Sequence, residues 1–194
     1  MILERLKLET SIQHEGLERK LNLLSPDFTR ASYRVLLEKF LGFYEPLEAK
    51  LLAGTGLDKN VFDLALRQKT PSLKRDLEAL GLTDQQIQDL PRSTQSELPK
   101  LNLPEHCAGC LYVLEGATLG GQIISKHLTA LLGIGPSTGG EFFMGYGNQT
   151  GLKWREFRTF CESYTATCQT PDAIILGAQD TFQKFEAWTC TSST

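Results

Sequence analysis

The chain has 194 residues, 41% hydrophobic and 22% charged, with a formal net charge of −3. That length and apolar fraction suit one compact domain with a real core, and the slightly acidic balance offers no basic face for nucleic acid. No run of eighteen apolar residues marks a membrane span, and the opening MILERLKLET breaks its leucines with charge, unlike a signal peptide, so a cytoplasmic protein without nucleic-acid or membrane partners is expected.

Thirty-two leucines against three valines favour helix over sheet. The expected fold is therefore an all-α, single-domain multi-helix bundle over residues 1–190, with 191–194 as a frayed tail. Apolar spacing predicts a first helix over 2–24, with Leu3, Leu6, Leu17, Leu21 and Leu24 near one side. SPDF follows, with Ser25 as cap and Pro26 in the first turn of the next helix. That helix is long, 27–53, carrying Leu36, Phe40, Phe43, Leu47 and Leu51, and Gly54 closes it. Shorter helices are expected over 59–67, 71–80 and 84–89, then a loop over 90–103 containing Pro91 and Pro99. A second long helix covers 104–132. The glycine-rich connection GIGPSTGGEFFMGYG leads to final helices over 149–167 and 171–189.

Five cysteines, an odd count, do not form a secreted disulfide framework. His106, Cys107 and Cys110 suggest zinc, but no second pair stands at a familiar spacing, so buried reduced thiols are the better reading.

The long second helix contains Gly116, Gly120 and Gly121. Each interior glycine costs a helix about 1 kcal/mol relative to alanine. Gly116 and Gly120 share a face, and Gly121 adjoins it. Either another helix packs closely there, or a large flat ligand lies on bare backbone. The N-terminal helix points to the ligand. Thr10, His14 and Glu18 stack at i, i+4 and i+8. Glu18 is placed to accept the Nδ1 proton of His14, which leaves Nε2 free for a metal. Lys7, two turns before His14, is placed to meet an anionic edge of the ligand.

These motifs resemble the heme oxygenase family, specifically its bacterial branch associated with bacteriophytochromes. The T-x3-H-x3-E pattern of Thr10, His14 and Glu18 resembles the proximal helix. LYVLEGATLGGQ resembles the distal helix, whose glycines cross the heme face. GFYEPLEAKL, TPSLKRDLEALGL and FFMGYGNQTGLKWREF extend the resemblance in the right order. It implies that heme b, both cofactor and substrate, lies between the N-terminal proximal helix and the glycine-containing distal helix. His14 is then the iron ligand, with Gly116, Gly120 and Gly121 against the ring. The implied reaction consumes O2 and external electrons and yields biliverdin, ferrous iron and carbon monoxide. A ferredoxin- or flavodoxin-type protein is the implied donor, and a bacteriophytochrome is an implied receiver of the pigment.

The resemblance also marks Lys7, Tyr112, Arg155 and Arg158 for the heme propionates. Ala117 stands where the animal branch has an aspartate, so proton delivery falls to backbone groups, Thr118 or more distant residues. Glu115, Lys126 and His127 read as ordinary helix surface or cap. The loss of that aspartate leaves open a non-catalytic heme carrier or sensor on the same fold. A thiaminase II-type hydrolase, which needs a cysteine nucleophile with a carboxylate, fits less well.

Overall fold

The computed structural model describes residues 1–54 and 62–190. They form nine α-helices: α1 (Ile2–Glu9), α2 (Ser11–Leu21), α3 (Arg30–Ala53), α4 (Thr70–Ala79), α5 (Asp84–Asp89), α6 (Pro104–Leu132), α7 (Glu141–Met144), α8 (Thr150–Thr167) and α9 (Pro171–Cys190). Three 3-10 turns, Ala65–Arg67, Pro136–Thr138 and Gly147–Gln149, complete the secondary structure, and the described residues contain no strand. The all-α expectation holds. The expected tail, 191–194, lies outside the described residues.

Three boundaries differ from the sequence reading. The first helix is two. Thr10 leaves the helical path at φ −114°, ψ 4°, and its hydroxyl donates to the Leu6 carbonyl at 2.7 Å. A threonine that bonds back to the preceding turn competes with the helical ladder and bends it. The next helix is capped by Thr29, whose hydroxyl accepts from Ser32 N at 3.1 Å, while Ser25 only closes a turn onto Asp27 N. The helix expected over 59–67 reduces, among described residues, to the 3-10 turn Ala65–Arg67, because Arg67 is drawn into the interior.

Pro46 sits inside α3 without breaking it. Proline removes a helical donor and frees the carbonyl four residues back. That carbonyl belongs to Gly42, and it accepts from Ser93 N at 2.9 Å instead. A central helix is built on closer contact still. α6 packs most extensively against α9. A Cβ on Gly109 would strike the Ile174 carbonyl, and one on Gly177 would strike that of His106. Two helices can cross backbone to backbone there only because neither carries a side chain. α6 is also the one helix, among described residues, long and apolar enough to cross a bilayer, yet 56% of its apolar window is buried in the bundle.

A last feature places the site. Asp76 of α4 accepts from the backbone N–H groups of Glu141 and Phe142 at 2.8 and 2.7 Å. This cap sets α7, and with it Phe143, against the side of α6. Replacing Gly109 by alanine forces a methyl into backbone, and we expect a loss of about 3 kcal/mol or more. Gly151→Ala, in open space on α8, should be neutral or up to about 1 kcal/mol stabilising. Urea unfolding of the two variants checks both, and equal midpoints would refute the close crossing.

Candidate functional site

α1 and α2 run beside α6 but pack on α8 and α9. Two bridges connect the N-terminal segment to α6: Tyr112 lies beside Thr10, and His127 Nε2 approaches the carbonyl of Ser25, in the turn after α2, at 3.4 Å. Tyr112 and His127 fall on the same side of α6 as Gly116 and Gly120 at 100° per residue. The bridges are fifteen residues apart, about 22 Å along the axis. Between them α6 carries Gly116, Ala117, Gly120 and Ile123, of which the last three are exposed, while α2 carries the exposed His14 and Glu18. We take the space between the exposed His14 of α2 and this bare stretch of α6 as the candidate slot, whose α6 wall is mainly apolar.

His14 is the polar group on the near wall. Its side chain is 54% exposed, and its ring meets Phe182 of α9 edge to face, centroids 5.8 Å apart. Phe182 thus fixes the ring plane, a role the sequence alone did not reveal. Glu18 differs from expectation. Its Oε1 lies 3.7 Å from His14 Nε2, too far for a hydrogen bond and on the opposite nitrogen from Nδ1. Both groups are exposed, so packing on Phe182 orients the ring and the carboxylate does not. Thr10, first of the expected stripe, is buried and donates to the Leu6 carbonyl rather than lining the slot.

The glycines divide by function. A Cβ at Gly120 would meet nothing within 4 Å, and one at Gly116 only the Trp154 ring at 3.9 Å. At Gly121 it would meet the Phe143 carbonyl at 2.7 Å. Gly121 is a packing glycine, because it faces α7 instead of the slot. Thr118 is corrected on the same ground. It is buried, donates to the Glu115 carbonyl at 2.6 Å and packs on Gly145, so it does not serve the open face.

Lys7 and Arg155 are exposed, and neither forms an ion pair among described residues. Arg158 is exposed near Glu162 at 3.9 Å. Lys7 is on α1 and both arginines are on α8, two helices that pack together, and Trp154 of α8 approaches Gly116. Tyr112 stands near that Trp154 ring, centroids 6.1 Å apart, and is half-buried. Cys107 and Cys110 are buried at the α6–α9 crossing, where burial pushes their thiols up to about 11 and about 12. They are protonated core residues.

Behind α6 lies a cluster the sequence reading missed, having taken Glu115 for helix surface. Glu115 is only 2% exposed. Its Oε2 accepts from Arg67 Nη1 at 2.6 Å, and its Oε1 from the Tyr146 hydroxyl at 2.7 Å. Arg67 also donates to Glu156 at 2.8 Å, and the Lys69 ammonium stands 3.5 Å above the Tyr146 ring. No local signal distinguishes Glu115 from a surface glutamate, since its partners lie 48 and 31 residues away.

The donor set and shape suit an iron macrocycle: one accessible imidazole, an opposite wall bare where a Cβ would intrude, and cations at one end. These features make the front of α6 the candidate site for a flat ligand in an all-helical protein. The chain belongs to the heme oxygenase family, whose profile matches residues 1–191. The fold resembles that of the heme oxygenase from Neisseria meningitidis, described in NO- and CO-bound forms, with TM-score 0.79, 21% identity and coverage of 97% of this chain and 90% of that one. It also resembles the heme oxygenase from Leptospira interrogans, with TM-score 0.80, 20% identity and coverage of 97% and 98%. No curated protein sequence matches the chain.

Two outcomes follow. Without ligand, Gly120→Ala should keep or gain up to about 1 kcal/mol of stability, while Gly121→Ala should lose about 1–3 kcal/mol by overpacking on the Phe143 carbonyl. Apoprotein melting separates them, and equal losses would mean that Gly120 is not open. The second concerns Lys69, whose ammonium burial pushes down to about 8 while Glu115 and Glu48 pull it back up. The unfolded amine titrates near 10.4, so between about pH 8 and 10.4 the unfolded chain holds more protons and stability rises with pH, by up to about 3 kcal/mol. Buried tyrosines and cysteines pull the other way, so the measurement is the difference between wild type and Lys69→Met in urea. A difference that stays flat with pH would show that Lys69 keeps an ordinary pKa.

Proposed function

We propose that the protein cleaves heme b oxidatively, using O2 and external electrons, to biliverdin, ferrous iron and carbon monoxide. The observation that carries this is the pairing of an exposed, ring-anchored imidazole with a facing wall whose two glycines leave no side chain in the way. Heme, when bound, supplies the iron centre at which O2 is activated and the macrocycle that is cut. The chain supplies the rest. His14 would offer an imidazole nitrogen to the heme iron, and the Phe182 ring beside it limits its rotation. Gly116 and Gly120 leave room opposite and present only backbone. Lys7, Arg155 and Arg158 place positive charge at one end, suited to two carboxylates, and so set the ring's orientation in the slot.

Proton supply rests on backbone carbonyls and solvent, because Ala117 and Ile123 are apolar and Thr118 is turned away. That same feature supports the second reading, a heme carrier or sensor without turnover. Electrons come from a partner of ferredoxin or flavodoxin type, since no nucleotide or flavin motif is present in the sequence. The resemblance to the bacteriophytochrome-associated branch supports a cytoplasmic role in supplying biliverdin to such a photoreceptor.

Hemin-loaded protein given ascorbate or reduced ferredoxin in air should lose its Soret band and release a red-absorbing pigment with the mass of biliverdin. Persistence of the heme band would favour the carrier. His14→Ala should keep its helical circular dichroism, since alanine suits a helix, and lose the iron–histidine stretch in resonance Raman spectra of the ferrous form. A retained stretch would move the ligand to another histidine.

A further inference from the structure

The open wall of α6 has a counterpart on its back. At 100° per residue, Glu115, Thr118, Gly121 and Gln122 form a row that lies about 100–160° round the helix from Gly116 and Gly120. Every member of that row is held by one short segment, 143–147, that runs along the helix. The Phe143 carbonyl lies against Gly121, and Gly145 lies against Thr118. Tyr146 donates to Glu115 at 2.7 Å, and Gln122 Nε2 donates to the Gly147 carbonyl at 3.0 Å. Arg67 completes the grip from the far side, tying Glu115 to Glu156 of α8 and to the Lys153 carbonyl at 3.3 Å.

Packing alone leaves a helix free to roll by small amounts about its axis, since methyl and methylene contacts are non-directional. A buried carboxylate with two directional donors, from a guanidinium and a phenol, is different. Any roll of α6 lengthens one of those bonds while nothing else can satisfy the carboxylate at 2% exposure. Burial and the adjacent Glu115 carboxylate hold the Tyr146 phenol protonated, so it stays a donor.

We infer that Glu115, clamped by Arg67 and Tyr146, is a positioning residue that fixes the roll of α6 and thereby the angle at which the Gly116–Gly120 backbone faces a bound ligand. The second half of this inference rests on the heme-cleaving reading; the first does not. The cluster touches neither the slot nor His14, so its influence on the slot is transmitted by the helix alone.

The test uses Tyr146→Phe, which keeps the ring beneath Lys69 and removes one bond to Glu115, and Glu115→Gln, which keeps an acceptor for Tyr146 and removes the charge facing Arg67. Amide hydrogen exchange in the ligand-free protein should accelerate about tenfold over 113–124 in either variant. It should change little over 104–110, where the crossing with α9 holds α6. In the hemin-loaded, ferrous, carbon monoxide-bound protein, both variants should broaden or split the C–O stretch while hemin still binds one to one. Faster exchange spread evenly along α6 and α9 would overturn the inference, because it would report a general loss of stability. Local acceleration with an unchanged C–O band would equally overturn it, because the roll would then not reach the ligand. If wild-type protein takes up no hemin, the heme-cleaving reading fails, and the exchange arm still decides whether Glu115 holds α6.

Discussion

Helix α6 must be gripped on one side and bare on the other, and the rest of the molecule is arranged around that requirement. A helix through the centre of a bundle ordinarily buries its whole circumference. Here the N-terminal part is clasped by α9 through Gly109 and Gly177, where two backbones touch. The middle part is held from behind by segment 143–147 and exposed in front. The front is open at Gly120, where a side chain would meet nothing within 4 Å, and Ala117 and Ile123 beside it are exposed.

The charges follow the same division. Arg67, Glu115, Glu48 and Lys69 are all buried behind or beside α6, while the front presents glycine, alanine and isoleucine. Buried ion pairs contribute little net stability, because desolvation offsets most of the Coulomb gain. Their directionality is what an apolar contact lacks. Glu48 illustrates a related use: it accepts from Lys69 N at 2.5 Å and Thr70 N at 3.2 Å, anchoring the start of α4. α4 in turn carries Asp76, whose two backbone bonds set α7 and Phe143. A chain of polar contacts thus runs from α3 through α4 and α7 to the back of the helix that faces the slot.

The near wall is looser in its polar contacts. His14 is oriented by an aromatic edge on Phe182, and Glu18 stands beside it without a hydrogen bond. An imidazole held by ring packing keeps both nitrogens available, which suits a ligand that engages one of them. The cations of α1 and α8, Lys7, Arg155 and Arg158, are equally exposed.

Periodicity and local chemistry were enough to read the helical class, the long helices and the bare pair Gly116 and Gly120, because a 3.6-residue repeat and an interior glycine are properties of neighbouring residues. The same applies to His14 and Glu18 as a one-turn pair. What surrounds a residue is set by segments far away in the chain, and there the sequence was silent. Gly120 and Gly121 are adjacent and identical in type, yet one faces the slot and the other the Phe143 carbonyl. Thr118 looked fit for the open face and lies behind it. Glu115 looked like helix surface and is the most firmly held carboxylate of α6, because Arg67 and Tyr146 arrive from other parts of the fold. Sequence determined which positions carry bare backbone, charge or imidazole; only tertiary packing decided which way each of them faces, since the direction of a helix face depends on what the rest of the chain places against it.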